Sequence, residues 1–93
     1  MVIGSIVFDI HIPYAASLKE KRMVIRSLKE KLRSKFNVSV SEVGNQDLWQ
    51  SSYVAVVFVS PDKKQTEKIM NSVINFVEMN FPELHINIHK ELI

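Results

Sequence analysis

Ninety-three residues, 46% apolar and 24% charged, suffice for one small globular domain spanning residues 1–93 around a single core. The absence of cysteine excludes disulfides, cysteine-based zinc sites, iron–sulfur clusters and thiol catalysis. The net charge of +2 is unevenly spread: residues 19–35 carry eight basic side chains against two acidic ones, a local +6, which leaves −4 for the rest of the chain.

The N-terminal Met1-Val2-Ile3-Gly4 has no basic residue ahead of its apolar stretch, and Asp9 and His11 interrupt that stretch. Neither a signal peptide nor a membrane span is expected, and the chain reads as cytoplasmic. Residues 2–12 alternate, with Gly4, Ile6, Phe8, Ile10 and Ile12 on one parity and Ser5, Val7, Asp9 and His11 on the other. Period-two patterning of this kind predicts a half-buried strand, which Pro13 ends because it lacks a backbone donor.

Ser17-Leu18-Lys19-Glu20 reads as a capping box, with the serine oxygen accepting from a first-turn amide and Glu20 reaching back to the serine amide. Leu18, Val24, Ile25, Leu28, Leu32 and Phe36 then recur at helical spacing within a stripe roughly 120° wide. The helix is expected to end near Phe36-Asn37, with asparagine in a left-handed cap. Residues 38–43 alternate again, and Gly44-Asn45-Gln46-Asp47 is turn-like.

Ser52 to Val59 is apolar on both parities, the pattern of a central strand. Ser60-Pro61-Asp62 opens a second helix, with Ser60 as the expected cap, whose apolar stripe is Ile69, Met70, Val73, Phe76 and Val77. Asn80-Phe81-Pro82 closes it, and Leu84, Ile86 and Ile88 alternate with His85, Asn87 and His89 in a last strand. The order β-α-β-β-α-β predicts an α+β domain of the ferredoxin-like type, a four-stranded antiparallel sheet in the order 4-1-3-2 with both helices on one face.

Three stretches carry a resemblance. Ser17-Leu18-Lys19-Glu20-Lys21-Arg22, then Phe36-Asn37-Val38-Ser39-Val40, then Gln46-Asp47-Leu48-Trp49-Gln50 resemble the YlxP-like family of small bacterial proteins, and Ile10-His11-Ile12-Pro13 fits the same pattern. The resemblance runs nearly end to end. It departs at Asn45, in the place where a histidine is expected before the Gln-Asp-Leu-Trp-Gln run, which argues against a required imidazole in this loop. It implies a ferredoxin-like fold and no assigned activity. The family's gene neighbourhoods, rich in translation and ribosome-maturation factors, imply a role linked to RNA.

The strongest functional pattern is positional. Lys19, Arg22, Arg26, Lys29 and Arg33 are spaced 3, 4, 3 and 4, which on a helix makes one cationic stripe about 80° wide beside the apolar one. Such a row suits successive phosphates of RNA or another polyanion, and equally a solvated helix face. Lys21 falls with the apolar stripe, so it is expected either to hold an anion while partly desolvated or to pack its stem and keep its head in water. Trp49 is expected to cover the end of the core while Asp47 caps the turn; its other role would be to stack on a base or partner. The candidate nucleic-acid-binding set is therefore Lys19, Lys21, Arg22, Arg26, Lys29, Arg33 and Trp49.

Asp9, His11, His85 and His89 share the parity opposite the apolar residues, but no tight motif makes them a metal site, and no cofactor is implied. Whichever parity of the third strand points away from the helices, Val54, Val56 and Phe58 or Tyr53, Ala55, Val57 and Val59, an apolar sheet face is left for a second copy or a protein partner. The third strand has neither the aromatic–glycine core nor the charge of an RRM platform. There is no glycine-rich phosphate loop, and Pro13-Tyr14-Ala15-Ala16 lacks the arginine an acylphosphatase needs after its first strand. The sequence therefore predicts a non-enzymatic binding protein: an RNA-binding or translation-associated accessory factor using the first helix, or a homodimeric adaptor using the sheet.

Overall fold

A computed structural model describes all 93 residues. The elements are β1 (Val2–His11), α1 (Leu18–Lys35), β2 (Ser39–Gly44), β3 (Ser51–Ser60), α2 (Lys63–Asn80) and β4 (His85–Leu92). They form one antiparallel sheet in the order β2-β3-β1-β4, the expected topology read from the other edge. β1 pairs with β3 over its whole length, from Val2 opposite Ser60 to His11 opposite Ser51, and with β4 from Gly4 opposite Leu92 to His11 opposite His85. No helix is long and apolar enough to cross a membrane.

The core lies between the sheet and the two helices. Ile6, Phe8 and Ile10 from β1 meet Val54, Val56 and Phe58 from β3, and the helices close over them with Ile25, Leu28 and Leu32 from α1 and Met70, Val73 and Val77 from α2. The alternation in β1 delivers its even-numbered residues to this layer. Position 4, on the same parity, suits glycine because a Cβ there would come within 2.5 Å of the Phe58 ring. The open question in the third strand is resolved as well: Tyr53, Ala55, Val57 and Val59 point away from the helices.

Three end signals differ from expectation. Ser17 does cap α1, accepting from the Glu20 amide at 3.1 Å, but the Glu20 carboxylate accepts from the Ala16 amide at 2.7 Å rather than from Ser17. The carboxylate therefore also ties down the incoming loop. α2 begins at Lys63 and is capped by Asp62, whose Oδ1 accepts from the Gln65 amide at 2.8 Å, in place of Ser60. A full negative charge at a helix N-terminus outcompetes a hydroxyl two residues upstream. Asn37 has no left-handed backbone; the one non-glycine residue with positive φ is Asn45, at 59°, in the β2–β3 turn.

Candidate functional site

The capped start of α1 sets the phase of the cationic stripe. Lys19, Arg22 and Arg26 stand exposed, and Lys29 is half-buried. They line a groove of about 570 Å³ between α1 and β2, with Met23 and Ile25 as its apolar lining and Glu42 of β2 as its single carboxylate. Arg26 approaches Glu30 at 3.8 Å, but both side chains are mostly exposed, 79% and 67%, so the pair holds neither partner firmly. Arg33 continues the stripe beyond the groove. Its Nη2 donates to the Val40 carbonyl at 2.7 Å and ties the end of α1 to β2.

Lys21 does not join this surface, and its head does not reach water. The residue is completely enclosed. Its Nζ lies 2.7 Å from Glu42 Oε2 and donates to the Asn45 carbonyl at 2.8 Å and the Gln46 carbonyl at 3.1 Å. Three acceptors match the three protons of an ammonium. The same Glu42 oxygen accepts from Ser52 Oγ at 2.6 Å. Lys21 is thus an internal strut between α1, β2 and the β2–β3 turn, and it leaves the nucleic-acid-binding set. Its helical angle, close to that of Leu28, is the sequence signal of burial; its partner, 21 positions further on, is not visible locally.

The β2–β3 loop is pinned from several sides. Asn45 Nδ2 donates to Ser51 Oγ at 2.8 Å, and the Leu48 amide closes a turn on the Asn45 carbonyl at 3.1 Å. Gln50 Nε2 donates to the carbonyls of Pro13 and Ala15, at 3.3 and 3.1 Å, and the Gln50 carbonyl accepts from the Ile12 amide at 2.9 Å. This arrangement faces Trp49 outward. It is 53% exposed, so it does not cover the core, and it borders a separate depression of about 400 Å³ with His11 and Leu48. The turn is closed by backbone and by Asn45 rather than by Asp47. Trp49 and the cationic groove are not one continuous site. Nearby, the Tyr14 phenol is held above its usual range, first by burial and then by the Glu83 charge.

The face of the sheet opposite the helices has an apolar middle and a polar border. Ile3 pairs with Val59, Ser5 with Val57, Val7 with Ala55 and Asp9 with Tyr53 along the two central strands. Ser39 and Ser41 flank them on β2, and His85, Asn87, His89 and Glu91 on β4. The rings of His11 and His85 sit 6.0 Å apart, but no three histidine or acidic side chains converge as a metal cluster.

Fold and site together define a small ferredoxin-like α+β domain with a cationic groove along its first helix and a bare sheet face. The chain belongs to the family described as "Protein of unknown function (DUF503)", whose model matches residues 3–90. It is also similar to "Uncharacterized protein YlxP" of Bacillus subtilis (strain 168), with 44% identity over 70 residues, 75% of either chain. The family resemblance drawn from the sequence motifs thus holds.

The strut has a measurable consequence. Lys21→Met should destabilise the domain by about 3–5 kcal/mol in urea unfolding, because it leaves a largely enclosed carboxylate without its cation. Lys19→Ala, two positions earlier on the exposed side of the same helix, should change stability by less than about 0.5 kcal/mol. A loss below about 1 kcal/mol for Lys21→Met would show that the network is dispensable.

Proposed function

We propose that this domain is a non-enzymatic RNA-binding protein that grips the phosphate backbone in the groove between α1 and β2. The carrying observation is the charge balance of that groove. Four cations line it, and its only carboxylate already shares an oxygen with Lys21 and Ser52. A solvated helix face mixes signs; this one concentrates a single sign along a concave surface. The row from Lys19 to Arg33 spans about 21 Å of helix axis, room for roughly six nucleotide steps of a backbone rising 3.4 Å per strand position. Binding by such a row is driven by counterion release, so affinity for single-stranded RNA should fall with salt at a log–log slope of about −3 to −3.5 for four or five contacts.

Reversing Lys19, Arg22 and Arg26 to glutamate should abolish binding in a fluorescence-anisotropy titration while the far-ultraviolet circular dichroism stays native. None of the three bonds to another element, whereas Arg33 does and is best left intact. Reversing Lys63, Lys64 and Lys68 on α2 should have little effect, because Asp62 and Glu67 already offset that cluster. RNA binding without salt dependence, or unchanged in the α1 triple variant, would refute the proposal.

A second reading concerns the opposite layer: the sheet face is covered by a second copy of the chain. The favouring observation is its anatomy: Val7, Tyr53, Val57 and Val59 form an apolar cluster, with Ser5 and Asp9 beside it on β1 and serine, histidine, asparagine and Glu91 along the outer strands, a mix of apolar and polar groups found in protein interfaces. Strands of ten, six, ten and eight residues, about 4.8 Å apart and at about 3.3 Å per residue, present roughly 540 Å². Two such faces, fully covered, bury about 1,100 Å², close to the roughly 1,000 Å² that a stable interface requires. Sedimentation should show a dimer at high-micromolar concentration and a folded monomer for Val57→Asp. A monomeric parent chain at that concentration would rule this reading out. The two readings use opposite faces and are compatible.

A further inference from the structure

We infer that the groove reads an unpaired base of the bound strand through Glu42, and so prefers bases that offer an exocyclic amino group. This rests on the proposal that the groove holds RNA and adds what the groove selects. Lysine and arginine side chains offer only donors, so Lys19, Arg22, Arg26 and Lys29 can hold phosphates but cannot receive a hydrogen bond. Glu42 supplies the one carboxylate among the groove-lining side chains.

Its two oxygens are used differently. Oε2 is saturated by Lys21 at 2.7 Å and Ser52 at 2.6 Å, which fixes the carboxylate in place. Oε1 has no hydrogen-bond partner within the protein, and no side-chain oxygen or nitrogen is both enclosed and unpartnered, so Oε1 keeps some contact with solvent. The side chain as a whole keeps 15% exposure. A rigidly held acceptor beside a wall of donors fits a ligand with the complementary arrangement: anionic along its length, with an N–H donor projecting to one side. A free cation would be repelled by the four basic side chains. A nucleotide strand has both features, and the exposed Met23 side chain in the groove lining adds apolar surface for a base.

Cytosine offers N4–H₂ where uracil offers O4, and an N3 acceptor where uracil carries N3–H, so the only edge donor of uracil is flanked by two carbonyls, while the backbone is unchanged. Facing a carboxylate, the amino group gains a charge-assisted bond and the carbonyl is repelled. The base edge must be free of pairing, because the major groove of an A-form duplex is too deep and narrow for side chains to reach it.

The test compares oligo(rC), oligo(rU) and oligo(dC) of equal length by anisotropy at one salt concentration. The expected result is at least about fivefold tighter binding of oligo(rC) than of oligo(rU), with the same salt slope, and equal binding of oligo(rC) and oligo(dC). Glu42→Gln should bring the cytosine-to-uracil ratio to about 1. If that variant unfolds for want of a counterion to Lys21, the double variant Lys21→Met/Glu42→Gln removes both charges together and should give the same ratio. Equal affinity for oligo(rC) and oligo(rU) overturns the inference and leaves the phosphate grip standing. A preference for oligo(rC) over oligo(dC) with none over oligo(rU) assigns the donor to the 2′-hydroxyl and also overturns it, as does a cytosine preference that survives loss of Glu42. No salt-dependent binding of any of the three overturns the RNA proposal itself.

Discussion

Inside the domain a single ammonium group joins three segments that the chain otherwise leaves apart. Lys21 projects from the first turns of α1, and its three protons reach Glu42 on β2 and the carbonyls of Asn45 and Gln46 in the turn that follows. Enclosing a lysine is costly unless every proton finds an acceptor, so the geometry of all three partners is fixed together. The spacing between α1 and β2 follows from this contact, and with it the groove between them. So does the groove's charge: Lys21 neutralises Glu42 from within, and of the four cations lining the groove only Arg26 lies near another carboxylate, that of the exposed Glu30. The turn is held by the same group, and the loop beyond it presents Leu48 and Trp49 to solvent.

The two-layer architecture separates two kinds of surface. Helices cover one side of the sheet, and α1 carries the cationic stripe along its groove with β2. The other side has no second layer, and Tyr53, Val57 and Val59 meet water there. Electrostatic contact with a polyanion and apolar contact with another copy of the chain can therefore proceed independently. In a sheet-to-sheet pair both α1 grooves would face outward, on opposite sides of the assembly, each free to engage its own strand.

Much of the fold is written in local periods. The alternation in β1 and the 3.6-residue recurrence from Leu18 to Phe36 each follow from one element burying one face, so they are readable without knowledge of the rest of the chain. The cationic stripe is readable for the same reason. What escapes local reading depends on partners distant in sequence. The angle of Lys21 marks it for burial, but only the pairing of β2 beside α1 brings Glu42 to it. Which parity of β3 faces the helices is undetermined while both are apolar, and the register with β1 decides it. Trp49 is turned outward by the bonds that Gln50 makes to Pro13 and Ala15, across 37 and 35 positions of sequence. Asp62 wins the second cap over Ser60 by charge, a competition that residue preference alone does not rank.

The most direct measurement of where a polyanion binds is an amide NMR titration of the isotope-labelled domain with a short single-stranded RNA at low salt. The expected shift changes fall on residues 19–29 of α1 and on Val40 to Glu42 of β2, and they fade as salt is added. Changes confined to β1, β3 and β4 on the open sheet face, or to the Trp49 loop, would contradict the assignment of the α1–β2 groove as the RNA site. An unchanged spectrum would contradict RNA binding altogether.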